Sequence, residues 1–279
     1  MAHIKLSLLL AGRVDKNTKN RRRKLRPPHA SRKNELWYKS ELLKLVKRLQ
    51  AETENSLLKV VGENWTQDAP NLDAILKELK LAASRFGGIQ GFAERLAKIA
   101  AERNLRDTDS KLINSIRNAL GVNIAAALSK EGRIQTAVKA AIKQNIELIT
   151  SIPTKYFEKV ESLVRKNVET GMRYETIVGK IKEAGNVTES RAKLIARDQT
   201  AKMNSDFNRV RQTDLGINSY IWQTSGDERV RPEHADHDGK EFRWDDPPED
   251  TGHPGEDIQC RCVAIPVFKL DDMEKELGI

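Results

Sequence analysis

Cysteine is almost missing from this chain of 279 residues: there are two, Cys260 and Cys262, in one Cys-Arg-Cys tripeptide. That count excludes a disulfide framework, and cysteines two apart on a strand bridge each other poorly. The expected setting is a reducing cytoplasm. Aromatic residues reach only 5%, which speaks against a platform on which nucleic-acid bases stack. No apolar run is long enough to span a membrane. A short one at residues 4–12, "IKLSLLLAG", has no small-residue cleavage site at a workable distance and runs into "KNTKNRRRKLR". A secretory leader is therefore not expected. No phosphate-binding glycine loop stands out, and no small-molecule substrate is implied.

Charge is what the chain has in quantity. Charged residues make up 32% and hydrophobic ones 38%, a balance that suits long solvated helices better than a compact enzyme. Residues 1–50 contain 15 Lys and Arg against 3 Asp and Glu, while the remainder holds 34 against 37. The net charge of +9 thus belongs to the N-terminal fifth. Residues 13–34, with "RPPHASRK", read as an extended or disordered arm. Lys16, Lys19, Arg21, Arg22, Arg23, Lys24 and Arg26 would let that arm meet an anionic partner. The partner could be DNA, whose phosphates bind Lys and Arg without sequence readout, or an acidic protein surface. The same composition also suits a solvated tail that aids solubility. Residues 226–257 invert the balance, with 4 basic against 12 acidic residues.

The apolar spacing becomes helical at Glu35, with Leu42, Val46 and Leu49 at i, i+4 and i+7. Breaks are predicted at residues 68–71, ahead of a helix carrying Leu72, Ile75, Leu76 and Leu79, and at "FGGIQG", residues 86–91. Further breaks are predicted before Leu112, with Asp109 or Ser110 as cap, and at Pro153, between helices over 131–150 and 154–170. A last one is predicted at Gly185, ahead of a long helix over 189–215 capped by Thr188 and ended by a left-handed Gly216. Strands are expected at 219–224 and 260–268, with Pro266 marking a sheet edge. Asp238-Gly239 suits a two-residue hairpin turn. The fold class is α+β: a mostly helical N-terminal body and a long helix leading into a small antiparallel sheet. In linear order this gives a basic arm (1–34), a helical body (35–150), helices followed by the sheet (151–268) and a tail (269–279).

Three of the five histidines and both cysteines fall within residues 234–262. Zinc takes four tetrahedral nitrogen or sulfur ligands. Cys260 and Cys262 would face one side of a strand, and two of His234, His237 and His253 would complete the set. A metal would hold a small sheet with long loops. Against this, the cysteines could be small buried hydrophobes and the histidines loop residues with local hydrogen bonds. A hydrolytic centre is a further alternative, with His234, Asp236, His237 and Asp238 around a metal-activated water. The local excess of acids repels duplex DNA and weighs against it. Ion pairs could also stitch these loops, with Arg229, Arg231 and Arg261 each able to grip Asp227, Asp236 or Asp257 in bidentate fashion.

The order of motifs resembles the Mu F-type minor head proteins of tailed bacteriophages, the phage head morphogenesis family. The residues carrying the resemblance are Ala196-Arg197 with Thr200, Trp222, Asp227 with Val230-Arg231 and His234, Asp238-Gly239, Pro254-Gly255 and Cys260-Arg261-Cys262. It covers residues 186–268 sharply and reaches back faintly to 134. The resemblance implies a virion protein of low copy number, near the portal vertex or inside the head, with portal or major capsid protein and packaged DNA as partners. It implies no catalysis. Related domains fused to bacterial toxins look like delivery modules, and a metal-dependent nuclease or toxin-like enzyme is the competing reading. Some members of the family carry Cys-x-x-Cys where this chain has Arg231 and His234, so a cysteine-rich zinc set is incomplete here.

Overall fold

The computed structural model describes residues 6–10, 25–65, 70–128 and 131–267. Of the basic residues named above, Lys16, Lys19, Arg21, Arg22, Arg23 and Lys24 lie outside that set, as does the tail 269–279. The described residues form an α+β structure. Helices α1 (Leu6–Leu10), α2 (Arg32–Glu52), α3 (Leu58–Asn64), α4 (Leu72–Ser84), α5 (Ile89–Leu120), α6 (Arg133–Glu169) and α7 (Tyr174–Asp214) precede strand β1 (Ser219–Gln223). The short helix α8 (Pro232–Asp236) and strands β2 (Glu241–Arg243) and β3 (Val263–Val267) follow. Packing divides the chain into two units. One comprises Met1–Asn34, Ala100–Ala141 and Asp198–Ile279, the other Glu35–Ile99 and Ile142–Arg197. This is a different cut from the linear one read from the sequence.

The second unit is helical. Leu42, Leu45, Val46 and Leu49 of α2 are buried, as are Ile149, Ile152, Tyr156 and Val160 of α6. Two buried hydrogen bonds fix these helices against each other: Tyr38 Oη donates to Asn145 Oδ1 at 2.7 Å, and Tyr156 Oη to Thr53 Oγ1 at 2.8 Å. Asn71 caps α4, its Oδ1 accepting from the Ala74 N–H at 3.1 Å, and the chain turns at 85–88 before α5 begins.

Three predicted breaks do not occur. Pro153 lies inside α6. An interior proline costs about 3 kcal/mol, but the buried stripe Ile149-Ile152-Tyr156-Val160 runs through it at helical spacing. Each such side chain contributes about 1.5–3 kcal/mol of burial, so packing outweighs the proline. Gly185 lies inside α7 and faces Gln50: a Cβ there would stand 2.9 Å from Gln50 Nε2. Thr188 is not a cap, and its Oγ1 donates back to the Ala184 carbonyl at 2.8 Å. Asp109 does not cap a new helix either. It sits within α5 and receives the buried Arg211 guanidinium through two bonds of 2.7 and 2.8 Å.

The first unit holds the sheet. α7 ends as predicted: Gly216 has φ 81°. The Ile217 N–H reaches the Gln212 carbonyl at 2.9 Å and the Gly216 N–H that of Thr213 at 3.1 Å, the paired bonds of a Schellman stop. Beneath it, Leu112, Ile116, Val122, Ile124, Leu215 and Ile217 share one apolar cluster with Leu6 and Leu25. The sheet order is β2-β1-β3, all antiparallel. Pro266 opposite Tyr220 lies on edge strand β3, where a missing N–H is tolerated. Cys260 and Cys262 stand just ahead of β3, not on it. Asp238-Gly239 is not a two-residue hairpin turn, because residues 224–240, including α8, intervene between β1 and β2.

Candidate metal centre

The site is made by two loops that return to the central strand. On β1, Tyr220 and Trp222 face inward, and with Trp244, Cys260, Cys262 and Ala264 they form the second apolar cluster of this unit. Leaving β1, the chain is clamped by Asp238 Oδ1, which accepts from the Thr224 N–H at 2.7 Å and its hydroxyl at 3.0 Å. Pro232 opens α8 at a position where its missing N–H costs nothing. One turn on, α8 delivers His234 into the interior. Gly239, at φ 77°, then lets the chain rejoin the sheet, its N–H bonding the Trp222 carbonyl at 2.8 Å.

The closing loop is seated on α7. Pro254 accepts from the Ser205 hydroxyl, and a Cβ on Gly255 (φ 92°) would meet Ser205 Cβ at 2.7 Å, so only glycine fits. Gln259, at φ 59°, is the one non-glycine residue in the left-handed region among those described. Its N–H is held by Asp198 Oδ1 at 2.8 Å.

These constraints converge on three buried side chains. His234 Nδ1 lies 3.4 Å from Cys262 Sγ and 3.5 Å from Cys260 Sγ, and all three donor atoms fall within 4.8 Å of one another. The other ring nitrogen, Nε2, meets Asp257 Oδ2 at 2.9 Å. A carboxylate only accepts, so Nε2 carries the proton and Nδ1 turns its lone pair to the sulfurs. The edge of Trp222 holds the ring, with centroids 5.4 Å apart at 84°.

The surroundings shift the two thiols in opposite directions. A hydrogen bond from Cys262 pushes the Cys260 thiol down, against the effect of burial, and backbone N–H groups of Cys262 and Gly255 add to the fall. The same sulfur–sulfur contact and burial raise Cys262. The buried Trp222 indole N–H, which meets no acceptor at full contact distance, opposes that rise from longer range.

Residues 158–265, the stretch that builds this site, match the family model described as Phage Mu protein F like protein. Over these residues the chain is similar to that family. A protein of Haemophilus influenzae described as uncharacterized is 36% identical over 263 residues, which is 93% of this chain and 58% of that relative. The chain thus spans under two thirds of the relative's length. No solved structure matches it.

Within the Mu F-like segment the remaining candidates separate. His237 Nε2 pairs with Asp250 Oδ1 at 3.0 Å, beside Trp222 and Phe242. His253 Nδ1 meets Tyr220 Oη at 3.0 Å, and burial lowers its pKa. Neither joins the sulfurs. Asp227 takes a bidentate grip from Arg261, whose hydrogen bonds pull its pKa down to about 2. Arg231 reaches Asp257 Oδ2 at 3.3 Å and the Ile258 carbonyl at 2.8 Å. Arg229 comes only within 4.0 Å of Glu228 and is exposed, and Asp236 makes no ion pair among the described residues. Arg26, the described residue of the basic set, donates its backbone N–H to Ser115 Oγ at 2.9 Å.

Sequence reasoning passed over Asp198, Tyr220 and Asp250. Asp198 falls inside the helical "ARDQT" motif, and only the folded loop shows that its carboxylate serves Gln259. Among the described residues, no helix is long and apolar enough to cross a membrane.

Proposed function

We propose that this chain is a structural minor head protein of a tailed bacteriophage, acting in head assembly close to the portal and the packaged DNA. The observation that carries the reading is the Mu F-like match over residues 158–265. Its partners are portal or major capsid protein, through the folded units, and DNA or an acidic portal surface, through the basic arm. Its place is the virion, and the host cytoplasm during assembly. The competing hydrolytic reading needs His234, Asp236, His237 and Asp238 to converge on one water. Instead His234 faces sulfur and Asp257, His237 faces Asp250 and Asp238 clamps Thr224, while Asp236 is exposed. That divergence favours a scaffold over an enzyme.

The test is charge reversal of Lys16, Lys19, Arg21, Arg22, Arg23 and Lys24 to Glu. Deleting residues 1–34 would also remove Leu6 and Leu25 from the core, so reversal is the cleaner change. Wild type binds duplex DNA or portal rings with a steep salt dependence, and the variant loses that binding with unchanged thermal unfolding. Equal binding by both at low salt contradicts the reading of the arm.

A further inference from the structure

We propose that His234 Nδ1, Cys260 Sγ and Cys262 Sγ bind one zinc ion, with Asp257 orienting the histidine and Arg231 bracing Asp257. The inference rests on side-chain geometry and is independent of the head-assembly reading.

The distances fit the ion. Zn–S of about 2.3 Å and Zn–N of about 2.0–2.1 Å at tetrahedral angles place nitrogen and sulfur about 3.5 Å apart. The observed separations are 3.4 and 3.5 Å. One imidazole lone pair accepts one hydrogen bond, yet it stands at equal range from two sulfurs. A cation between the three atoms satisfies all of them at once. Two sulfurs and a nitrogen select zinc over hard cations such as magnesium and calcium.

The surroundings are those of a ligand set. A ligating histidine gives its other N–H to a carboxylate, which fixes the tautomer, and Asp257 is in that position. The Arg231 guanidinium grips Asp257 and the Ile258 carbonyl, and it has no lone pair to offer a metal. Among the described residues the site has these three ligands, and the fourth tetrahedral position falls to water. On binding, both thiols release their protons to solvent and no redox change is involved.

The experiment is zinc stoichiometry by elemental analysis of full-length protein purified without chelator, with cobalt(II) titration of the metal-stripped protein. One zinc per chain is expected, together with thiolate-to-cobalt absorption and proton release on titration. Cys260→Ser, Cys262→Ser and His234→Ala lose the metal, whereas His237→Ala and His253→Ala retain it. Asp257→Asn weakens affinity about 10–100-fold. Wild-type protein that is folded yet takes up neither zinc nor cobalt overturns the site. A folded His237→Ala or His253→Ala variant without metal overturns the three-ligand assignment. If the ligand variants fail to fold, the cobalt titration of wild type still decides the matter.

Discussion

The Asp227–Arg261 pair ties the first loop to the Cys-Arg-Cys segment, and its energetics have a defined sign. Asp227 titrates at about 2, below its usual 3.8, because Arg261 stabilises the carboxylate. A carboxylate lowered on folding stabilises the native state above its unfolded pKa, and that contribution fades as pH falls toward the folded value. Between pH 4 and 2 the wild type is therefore expected to lose its advantage over Asp227→Asn, while above pH 5 the variant unfolds first. Acid titration of both, followed by intrinsic tryptophan fluorescence, checks this. An advantage independent of pH would contradict it. Gly255 makes a second case. Its φ is 92°, and a Cβ at this position would stand 2.7 Å from Ser205 Cβ. Gly255→Ala should therefore cost at least the ~1–2 kcal/mol of left-handed strain. Urea unfolding measures that loss.

Elements were legible where a local signal met no opposing contact. The Gly216 stop, the break ahead of Leu72, strands β1 and β3 and the edge position of Pro266 all follow from residue type and spacing. Pro153, Gly185 and Asp109 escape such reasoning for one cause: each has a meaning that belongs to a neighbour distant in sequence. Gly185 makes room for Gln50, Asp109 answers Arg211, and Pro153 is carried by the stripe on either side of it. The proline remains a weak point in α6. Pro153→Ala restores a backbone donor and is expected to raise stability by about 1–2 kcal/mol, less than the full proline penalty because the unfolded chain also gains freedom. A shift of the urea midpoint upward at constant slope is the expected reading, and a shift downward would show that α6 needs the proline. Within the candidate site, residue types marked His234, Cys260 and Cys262. Only the fold separates them from His237 and His253, whose rings are committed to Asp250 and Tyr220.

For the whole molecule, the basic charge and the family match fall on different parts of the chain. The basic residues cluster in the N-terminal fifth, and the Mu F-like match covers 158–265. Residues whose chemistry could cut a phosphodiester point away from one another. The acidic loops around them carry 12 Asp and Glu against 4 basic residues over 226–257, a field that repels nucleic acid. With metal bound, the purified protein is expected to leave duplex DNA and RNA intact over hours, and gel analysis of both substrates checks it. Cleavage that disappears in His234→Ala would restore the hydrolytic reading.

The most direct measurement is quantitative mass spectrometry of phage heads purified from cells that express the chain with its own head proteins. The account predicts the chain in those heads at low copy, and in lower amount when the Lys16–Lys24 charges are reversed. Heads that form normally and contain none of it would contradict the assignment to head assembly.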